Sequence, residues 1–335
     1  MNSVLLTVDL TKAVADEAIE RNDSIIISYH PIIFRGLKTL TLADSQQQSL
    51  LRLAAEGISV YSPHTAIDAA KGGLGDWLAD IVSGTPAEPE EVDGGVSRPA
   101  SPTKSPTKRS PQPMPVDQED DTFSEPKRPV FMLQHHPSQL SIRESGLKLA
   151  SRKHTRSTIR PTTVAGFPEG SGMGRIVRFS SPQPLIDIID RIGLGLGNPK
   201  GFPIAIPQGK RMDEMRISSV GICAGSGGDL LRNLDVDLLF TGELSHHEAL
   251  AAIEKGQCVI CLFHSNTERG FLHSVLKQQL KNTIGKEWEK VRREERAKDG
   301  LSDDYLEALE DEHTEVQVSE VDRDPYGVMI SKAEI

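Results

Sequence analysis

The chain has 335 residues, a formal net charge of -10 and three cysteines, so it is long enough for two domains of ordinary size. The acidic balance argues against a surface-wide grip on nucleic acid, the sparse cysteines argue against a disulfide scaffold, and no apolar run approaches the ~20 residues of a membrane span. The first residues show no basic leader, so we expect an intracellular protein, cytoplasmic and also nuclear, with a mitochondrial location left open.

The first segment, residues 1–82, has the pattern strand-helix-strand-helix-strand. Continuous Val and Ile runs alternate with helical stretches, which is typical of a parallel sheet covered on both faces. The predicted strands are 3–10, 24–29 and 58–62, and the predicted helices are 11–22 and 44–56.

A biased segment follows, rich first in Pro, Ser and acidic residues and then in basic residues. It contains the tandem repeat Ser-Pro-Thr-Lys, whose two copies start at Ser101 and Ser105. Such a composition buries too little apolar surface to offset the entropy of ordering, so we predict a disordered linker over residues 83–160.

The last segment, residues 161–335, alternates strands and helices again. Ser245 and Glu248 form a predicted capping box at the start of one helix. The expected architecture is two α/β lobes, interrupted by the long insertion. The predicted strands are 175–179, 216–224, 235–240, 258–263 and 316–321, and the predicted helices are 184–192, 245–256, 266–281 and 286–311.

Ligands of open α/β sheets bind at the carboxyl ends of strands, and four such ends in this chain carry histidines. His30 ends one strand, and His246 with His247 follow another. His64 and His264 each have a carboxylate four residues on, and residues i and i+4 share one helical face. The carboxylates are Asp68 and Glu268. Imidazole with carboxylate suits zinc, iron or manganese rather than calcium, so we predict one or two divalent transition-metal ions.

Three further motifs leave alternatives open. The loop Gly225, Ser226, Gly227, Gly228 can cradle phosphate on backbone N–H groups or be a tight turn. His246 and His247 can relay protons as catalytic residues or line the cavity. Cys258-x-x-Cys261 resembles a redox or zinc pair, although residues i and i+3 of a strand point to opposite faces, which favours two structural thiols.

Five ordered motifs of the chain resemble those of a known family. They are SYHPIIFRGLKTL (28–40), YSPHTAIDAA (61–70), GICAGSGGDLL (221–231), LLFTGELSHHEAL (238–250) and FHSNTERGFL (263–272). Together they resemble the Nif-three-like dinuclear-metal family, also catalogued as the GTP cyclohydrolase 1 type 2 family, and the chain resembles a eukaryotic, fungal member.

The resemblance implies a metal site in the cleft between the two α/β lobes. It implies metal ligands at His30, His64, Asp68, His264 and Glu268, with Glu268 as the bridge between two ions. Many family members carry His-His-Pro where this chain has Tyr29-His30-Pro31. A phenol is a poor ligand unless the metal deprotonates it, so the second ion is expected to bind weakly or not at all. The resemblance also implies that the chain starts inside the first domain, without the family's opening helix region.

Two functions are compatible with these residues. One is a metal-dependent hydrolase of a nucleotide or another phosphate-bearing small molecule. The other is a non-catalytic interaction protein with structural metals, which binds a transcriptional adaptor. The resemblance further implies a homo-oligomer, and we expect neither direct nucleic-acid nor membrane partners.

Overall fold

A computed structural model of the chain describes residues 2–84, 131–135, 151–163 and 169–331. They belong to two compact units, residues 1–86 with 133–328 and residues 87–132 with 329–335. In the second unit the described residues belong to strands β4 and β12, which form a two-stranded sheet. The strands are β1 Asn2–Thr7, β2 Ile25–Ser28, β3 Ser59–Tyr61, β4 Phe131–His135, β5 His154–Pro161, β6 Gly172–Pro184, β7 Ile204–Ala205, β8 Arg216–Ser226, β9 Leu238–Glu243, β10 Cys258–Cys261, β11 Thr314–Val318 and β12 Gly327–Ser331.

The helices connect these strands and cover the sheets. Helix Asn266–Phe271 runs on through a π-helical turn, Leu272–Leu276, into the long helix that follows. The α-helices are Lys12–Glu20, Ser45–Ala55, Thr65–Ala69, Leu74–Ser83, Leu185–Gly195, Gly228–Leu231, His246–Glu254, Asn266–Phe271, Lys277–Arg296 and Asp303–Glu310, with a short 3-10 helix at Met212–Glu214. Among the residues described, no helix is both long and apolar enough to cross a membrane.

Two sheets organise the first unit. The first is wholly parallel, with strand order β11-β1-β2-β3, and the second is mixed, with order β5-β6-β8-β9-β10-β7. In the second sheet β8, β9 and β10 run parallel to one another. One apolar core joins residues of both sheets, among them Leu6 and Phe240, with Leu78 of the helix Leu74–Ser83. The predicted α/β class is therefore confirmed.

The end of the chain contributes to the first sheet. Strand β11 pairs with β1 in parallel, with Val4 opposite Val316 and Leu6 opposite Val318. The predicted last strand, 316–321, thus begins two residues too late and completes the sheet of residues 1–82. The division into portions 1–82 and 161–335 stays a prediction.

The predicted end of the linker at residue 160 is wrong. Residues 154–161 form β5, which pairs antiparallel with β6. Its arginines look like linker composition, but Arg156 lies 2.6 Å from Asp80, and an edge strand tolerates such charged side chains. Residues 131–135, inside the predicted linker, form β4. Residues 85–130 and 136–150, with the Ser-Pro repeats, lie outside the described residues.

Two helical predictions also need correction. Leu74–Ser83 forms a helix that the strand-helix pattern of residues 1–82 missed, and it buries Leu78 and Val82 completely. The predicted helix 286–311 is broken into two, because Gly300 adopts a positive φ of 81° and Ser302 caps a new helix by accepting from the N–H of Tyr305.

A buried ion pair ties the region of the site to the second sheet. Arg175 on β6 is 2% exposed in its side chain and donates to both carboxylate oxygens of Asp76. Its guanidinium also donates to the carbonyl of Ala70, directly after the helix that carries Asp68. This arginine therefore holds the helix of Asp68 against the second sheet.

Candidate metal centre

The carboxyl ends of the parallel strands of both sheets meet in one place. His30 follows β2, and its N–H donates to the carbonyl of Val8, so its backbone is fixed to the end of β1. His264 lies three residues after the end of β10, and Glu268 lies in the first turn of the helix that begins at Asn266. Residues from distant parts of the chain are thus brought to a shared edge, as the strand-end rule predicts.

His30, His264 and Glu268 form the compact group of this edge. One ligand atom of each lies within 4.8 Å of the others, so the group can hold a metal ion. His30 Nε2 is 3.4 Å from Glu268 Oε2, and His264 Nε2 is 3.7 Å from Glu268 Oε1. The two imidazole rings are 5.2 Å apart between centroids. Both histidines therefore present Nε2 to the same carboxylate.

Glu268 is the buried member of the group, with a side chain only 3% exposed. Its Oε2 atom makes no hydrogen bond, although it has lost contact with water. Burial raises the pKa of this carboxyl, and the neighbouring His30 and His264 act against that rise. A buried carboxylate with an unsatisfied oxygen costs free energy unless a cation compensates it, so the donor set fits a divalent ion.

The backbone around the group leaves room for an ion. Gly225 has a φ of 57°, and a Cβ there would lie 2.8 Å from Glu268 Oε1 and 2.9 Å from His264 Nε2. Phe263, directly before His264, also has a positive φ, 65°. A non-glycine residue in this region stores about 1–3 kcal/mol of strain, which persists mainly at functional sites.

The other two predicted ligands lie beside the group rather than within it. The ring of His64 is 5.7 Å from that of His30, and its backbone has a φ of 42°. Asp68 accepts a hydrogen bond of 2.7 Å from the hydroxyl of Tyr29. Burial raises the pKa of Asp68 to about 6 even though this hydrogen bond acts the other way, and burial also lowers the pKa of His64.

Tyr29 occupies the position where a second nitrogen ligand would be expected. Its side chain is buried, and its ring is 5.0 Å from that of His30 and 5.5 Å from that of His64. Burial, together with the charges of Glu268 and Asp68, raises its pKa well above the ordinary value. The phenol therefore keeps its proton and donates a hydrogen bond to Asp68.

Two carboxylates that sequence reasoning missed complete the surroundings. Asp9 Oδ1 is 2.8 Å from His30 Nδ1, and Glu243 Oε1 is 2.9 Å from His264 Nδ1. Burial alone would lower the pKa of His30, but Asp9 and Glu268 outweigh it and raise the pKa to about 10. Both carboxylates follow or end a strand, so the strand-end rule applied to the true strand ends would have found them.

A buried arginine anchors this arrangement. Arg269, whose side chain is 4% exposed, lies 2.8 Å from Asp9 Oδ2 and also pairs with Asp322. Its Nε donates to Ser265, whose hydroxyl donates to Asp324. The segment after β11 is therefore fastened to the same helix that carries Glu268.

The glycine loop is mostly engaged in internal packing. The N–H of Gly225 donates to Thr267 Oγ1, and the N–H of Gly227 donates to the carbonyl of Glu243. A Cβ at Gly227 would lie 2.5 Å from Thr241 Oγ1. These contacts favour the tight-turn alternative, and phosphate binding by Gly225, Ser226, Gly227 and Gly228 stays a prediction.

His246 and His247 lie in the first turn of their helix and are exposed. The two rings make an edge-to-face contact at 5.3 Å, and neither belongs to the group around Glu268. His247 lines a separate cavity of 320 Å³. The capping box of Ser245 and Glu248 predicted for this helix is confirmed, whereas a proton-relay role for the two histidines stays a prediction.

A larger cavity of 660 Å³ opens directly beside the group. His30 and Asp9 line it, together with the exposed Lys12, Ser45 and Arg323. Cys258 and Cys261, the third sequence motif, lie within β10 as free thiols, and burial raises the pKa of both.

These features define an α/β protein with a candidate metal centre at the carboxyl ends of its strands, and comparison with known proteins identifies its family. The chain matches the Duf34/NIF3 (NGG1p interacting factor 3) family over residues 1–296. A Schizosaccharomyces pombe protein named NIF3 homolog is 38% identical over 287 residues, which cover 85% of this chain and 78% of that protein. The Saccharomyces cerevisiae NGG1-interacting factor 3 is 32% identical, covering 97% of this chain and 81% of that protein.

Solved structures agree in fold. A Bacillus cereus protein related to NIF3 superposes with a TM-score of 0.56 at 16% identity, covering 97% of this chain and 88% of that one. A Staphylococcus aureus protein gives a TM-score of 0.54 at 19% identity, covering 96% and 86%. The chain belongs to the Duf34/NIF3 family, which confirms the resemblance inferred from its motifs.

Proposed function

We propose that the protein is a metal-dependent hydrolase of a nucleotide or another phosphate-bearing small molecule. It binds one or two divalent transition-metal ions (zinc, iron or manganese) through His30, His64, Asp68, His264 and Glu268. In this proposal His30, His264 and Glu268 hold the first ion, while His64 and Asp68 supply the second, weaker position. The observation that carries it is the convergence of two imidazole nitrogens on the buried carboxylate of Glu268. One ligand atom of each of the three residues lies within 4.8 Å of the others.

The chemistry of the residues supports hydrolysis. When bound, divalent ions in such sites polarise phosphoryl oxygens and make water nucleophilic near neutral pH. Two ions would bring four positive charges, of which Asp68 and Glu268 neutralise two, so an anionic substrate is favoured. In this proposal the substrate reacts at the ion held by the buried Glu268 and by the imidazoles of His30 and His264.

The 660 Å³ cavity supports a small anionic substrate. His30 lines it, and Lys12 and Arg323 bring positive charge to its lining. Arg323 is exposed, and Lys12 forms an exposed ion pair in which its Nζ lies 2.7 Å from Asp16 Oδ2. Such an exposed pair contributes little to stability, so the lysine can turn toward a phosphate.

The replacement His264→Ala is expected to lower hydrolysis by about 100-fold or more, because loss of one ligand removes several kcal/mol of transition-state stabilisation. The measurement is turnover of a panel of nucleotides and phosphate esters by protein loaded with zinc or manganese. His313→Ala is the matched control, since His313 is exposed and lies outside the group around Glu268. Turnover that is unchanged in His264→Ala would contradict a metal-dependent hydrolase.

The name of the Saccharomyces cerevisiae relative, NGG1-interacting factor 3, favours a second function, a non-catalytic interaction protein that binds a transcriptional adaptor and acts in the nucleus. Deletion of residues 87–130 keeps β4 and β5 and removes the Ser-Pro repeats. If this segment holds the docking site, a pull-down with an NGG1-type adaptor should lose the adaptor while the metal content measured by elemental analysis stays equal to that of the wild type. Adaptor binding that survives the deletion would exclude the segment as the docking site. We also propose that the protein assembles into a homo-oligomer.

A further inference from the structure

The two histidines of the candidate centre have the same kind of partner on their far side. Asp9 faces Nδ1 of His30 and Glu243 faces Nδ1 of His264, at 2.8 and 2.9 Å. An ionised carboxylate can only accept hydrogen bonds, so Nδ1 of each ring must donate. The Nε2 atoms, which face Glu268, then become the metal-binding atoms when each ring is neutral.

We infer that Asp9 and Glu243 are positioning residues, which fix the tautomer and the orientation of His30 and His264 so that both Nε2 atoms are offered to one ion. This inference rests on the proposed metal site and adds the groups that prepare it. Outer carboxylates of this kind commonly change metal affinity by 10- to 100-fold when they are removed.

The two positioning residues differ in burial, which ranks their effects. Asp9 is 34% exposed in its side chain, and its second oxygen is held by the buried Arg269. Glu243 is 54% exposed, and the His264 ring that it contacts is 41% exposed. Because water competes more with an exposed hydrogen bond, Asp9 is expected to matter more than Glu243.

Asparagine at position 9 makes a sharp test because Asp9 uses both of its oxygens. One oxygen accepts from His30 and the other accepts from Arg269. An amide has only one acceptor oxygen. In Asp9→Asn the amide nitrogen must therefore face either Arg269 or His30. If it faces Arg269, two hydrogen-bond donors oppose each other. If it faces His30, Nδ1 must accept the hydrogen bond, so the ring proton moves to Nε2, where the metal would bind.

The probe is Co²⁺ alone, titrated into the metal-free full-length protein in competition with a chromophoric chelator. Asp9→Asn is expected to weaken Co²⁺ binding by roughly 10- to 100-fold, and Glu243→Gln by less than about tenfold. Asp235→Asn is the matched control, because Asp235 is exposed and does not belong to the group around Glu268, and it should bind as the wild type does.

A second readout separates positioning from mere folding. In the Co²⁺-loaded wild type, the exchangeable Nδ1–H protons of the two histidines should give two paramagnetically shifted proton signals, and Asp9→Asn should lose or displace one. Wild-type binding with both signals unchanged in Asp9→Asn would overturn the inference while leaving the metal site intact. If the wild type itself binds no Co²⁺, the proposed metal site fails, which is a different result.

Discussion

Replacing Glu268 by glutamine is expected to reduce bound metal from about one ion per chain to a small fraction of that. The substitution keeps the shape of the side chain, so packing at this 3% exposed position is preserved. It removes the negative charge that both His30 Nε2 and His264 Nε2 approach. An ion held by two neutral imidazoles without a carboxylate loses its charge compensation inside the protein.

Elemental analysis of the purified wild type and of Glu268→Gln measures this effect directly. Glu254→Gln serves as the control, since Glu254 is an exposed glutamate at the end of another helix. Thermal unfolding of the metal-free proteins shows whether Glu268→Gln still folds, and only a folded variant tests the role of the carboxylate. Full metal content in a folded Glu268→Gln protein would rule out this carboxylate as a ligand.

Local pattern was sufficient to predict the parallel strands, because buried strands need continuous apolar runs. The runs around Ile26 and Ile260 were placed correctly. Pairing of β11 with β1 was not predictable in this way, since Val4 and Val316 are more than 300 positions apart and the strand pattern carries no information about its neighbour. The Arg-rich β5 was missed for a related reason: an edge strand needs little apolar content.

The same limits explain which parts of the site were found. Histidines after strands are conspicuous, and His30 and His264 were identified from that signal. Asp9 was hidden because β1 was predicted to reach residue 10, whereas it ends at Thr7 and leaves Asp9 after the strand. Glu243 was hidden by the opposite error, since β9 continues to residue 243 rather than ending at Phe240. An error of three residues in a strand end therefore decides whether a carboxylate is recognised.

Replacing Tyr29 by histidine is expected to raise bound metal from about one ion to about two per chain. The phenol now donates to Asp68 at 2.7 Å and stands 5.5 Å from the ring of His64. It therefore uses an oxygen of Asp68 without offering a ligand atom of its own. An imidazole at this position would create a His-His-Pro sequence, release Asp68 and add a nitrogen next to His64, so a second set of three donors would surround the neighbouring position.

Two variants separate the loss of the phenol from the gain of the imidazole. Tyr29→Phe removes the hydroxyl and frees Asp68 but adds no nitrogen, so it should stay near one ion per chain. Elemental analysis gives the stoichiometry, and electron paramagnetic resonance of Mn²⁺-loaded Tyr29→His should show the coupling of two neighbouring ions. A stoichiometry of one in a folded Tyr29→His protein would show that His64 and Asp68 do not form a second position. If Tyr29→Phe bound two ions, the hydrogen bond from Tyr29 to Asp68 would by itself explain why the wild type binds only one. The phenol of Tyr29, fixed by burial and by Asp68, is thus the feature that we expect to set the number of ions in this protein.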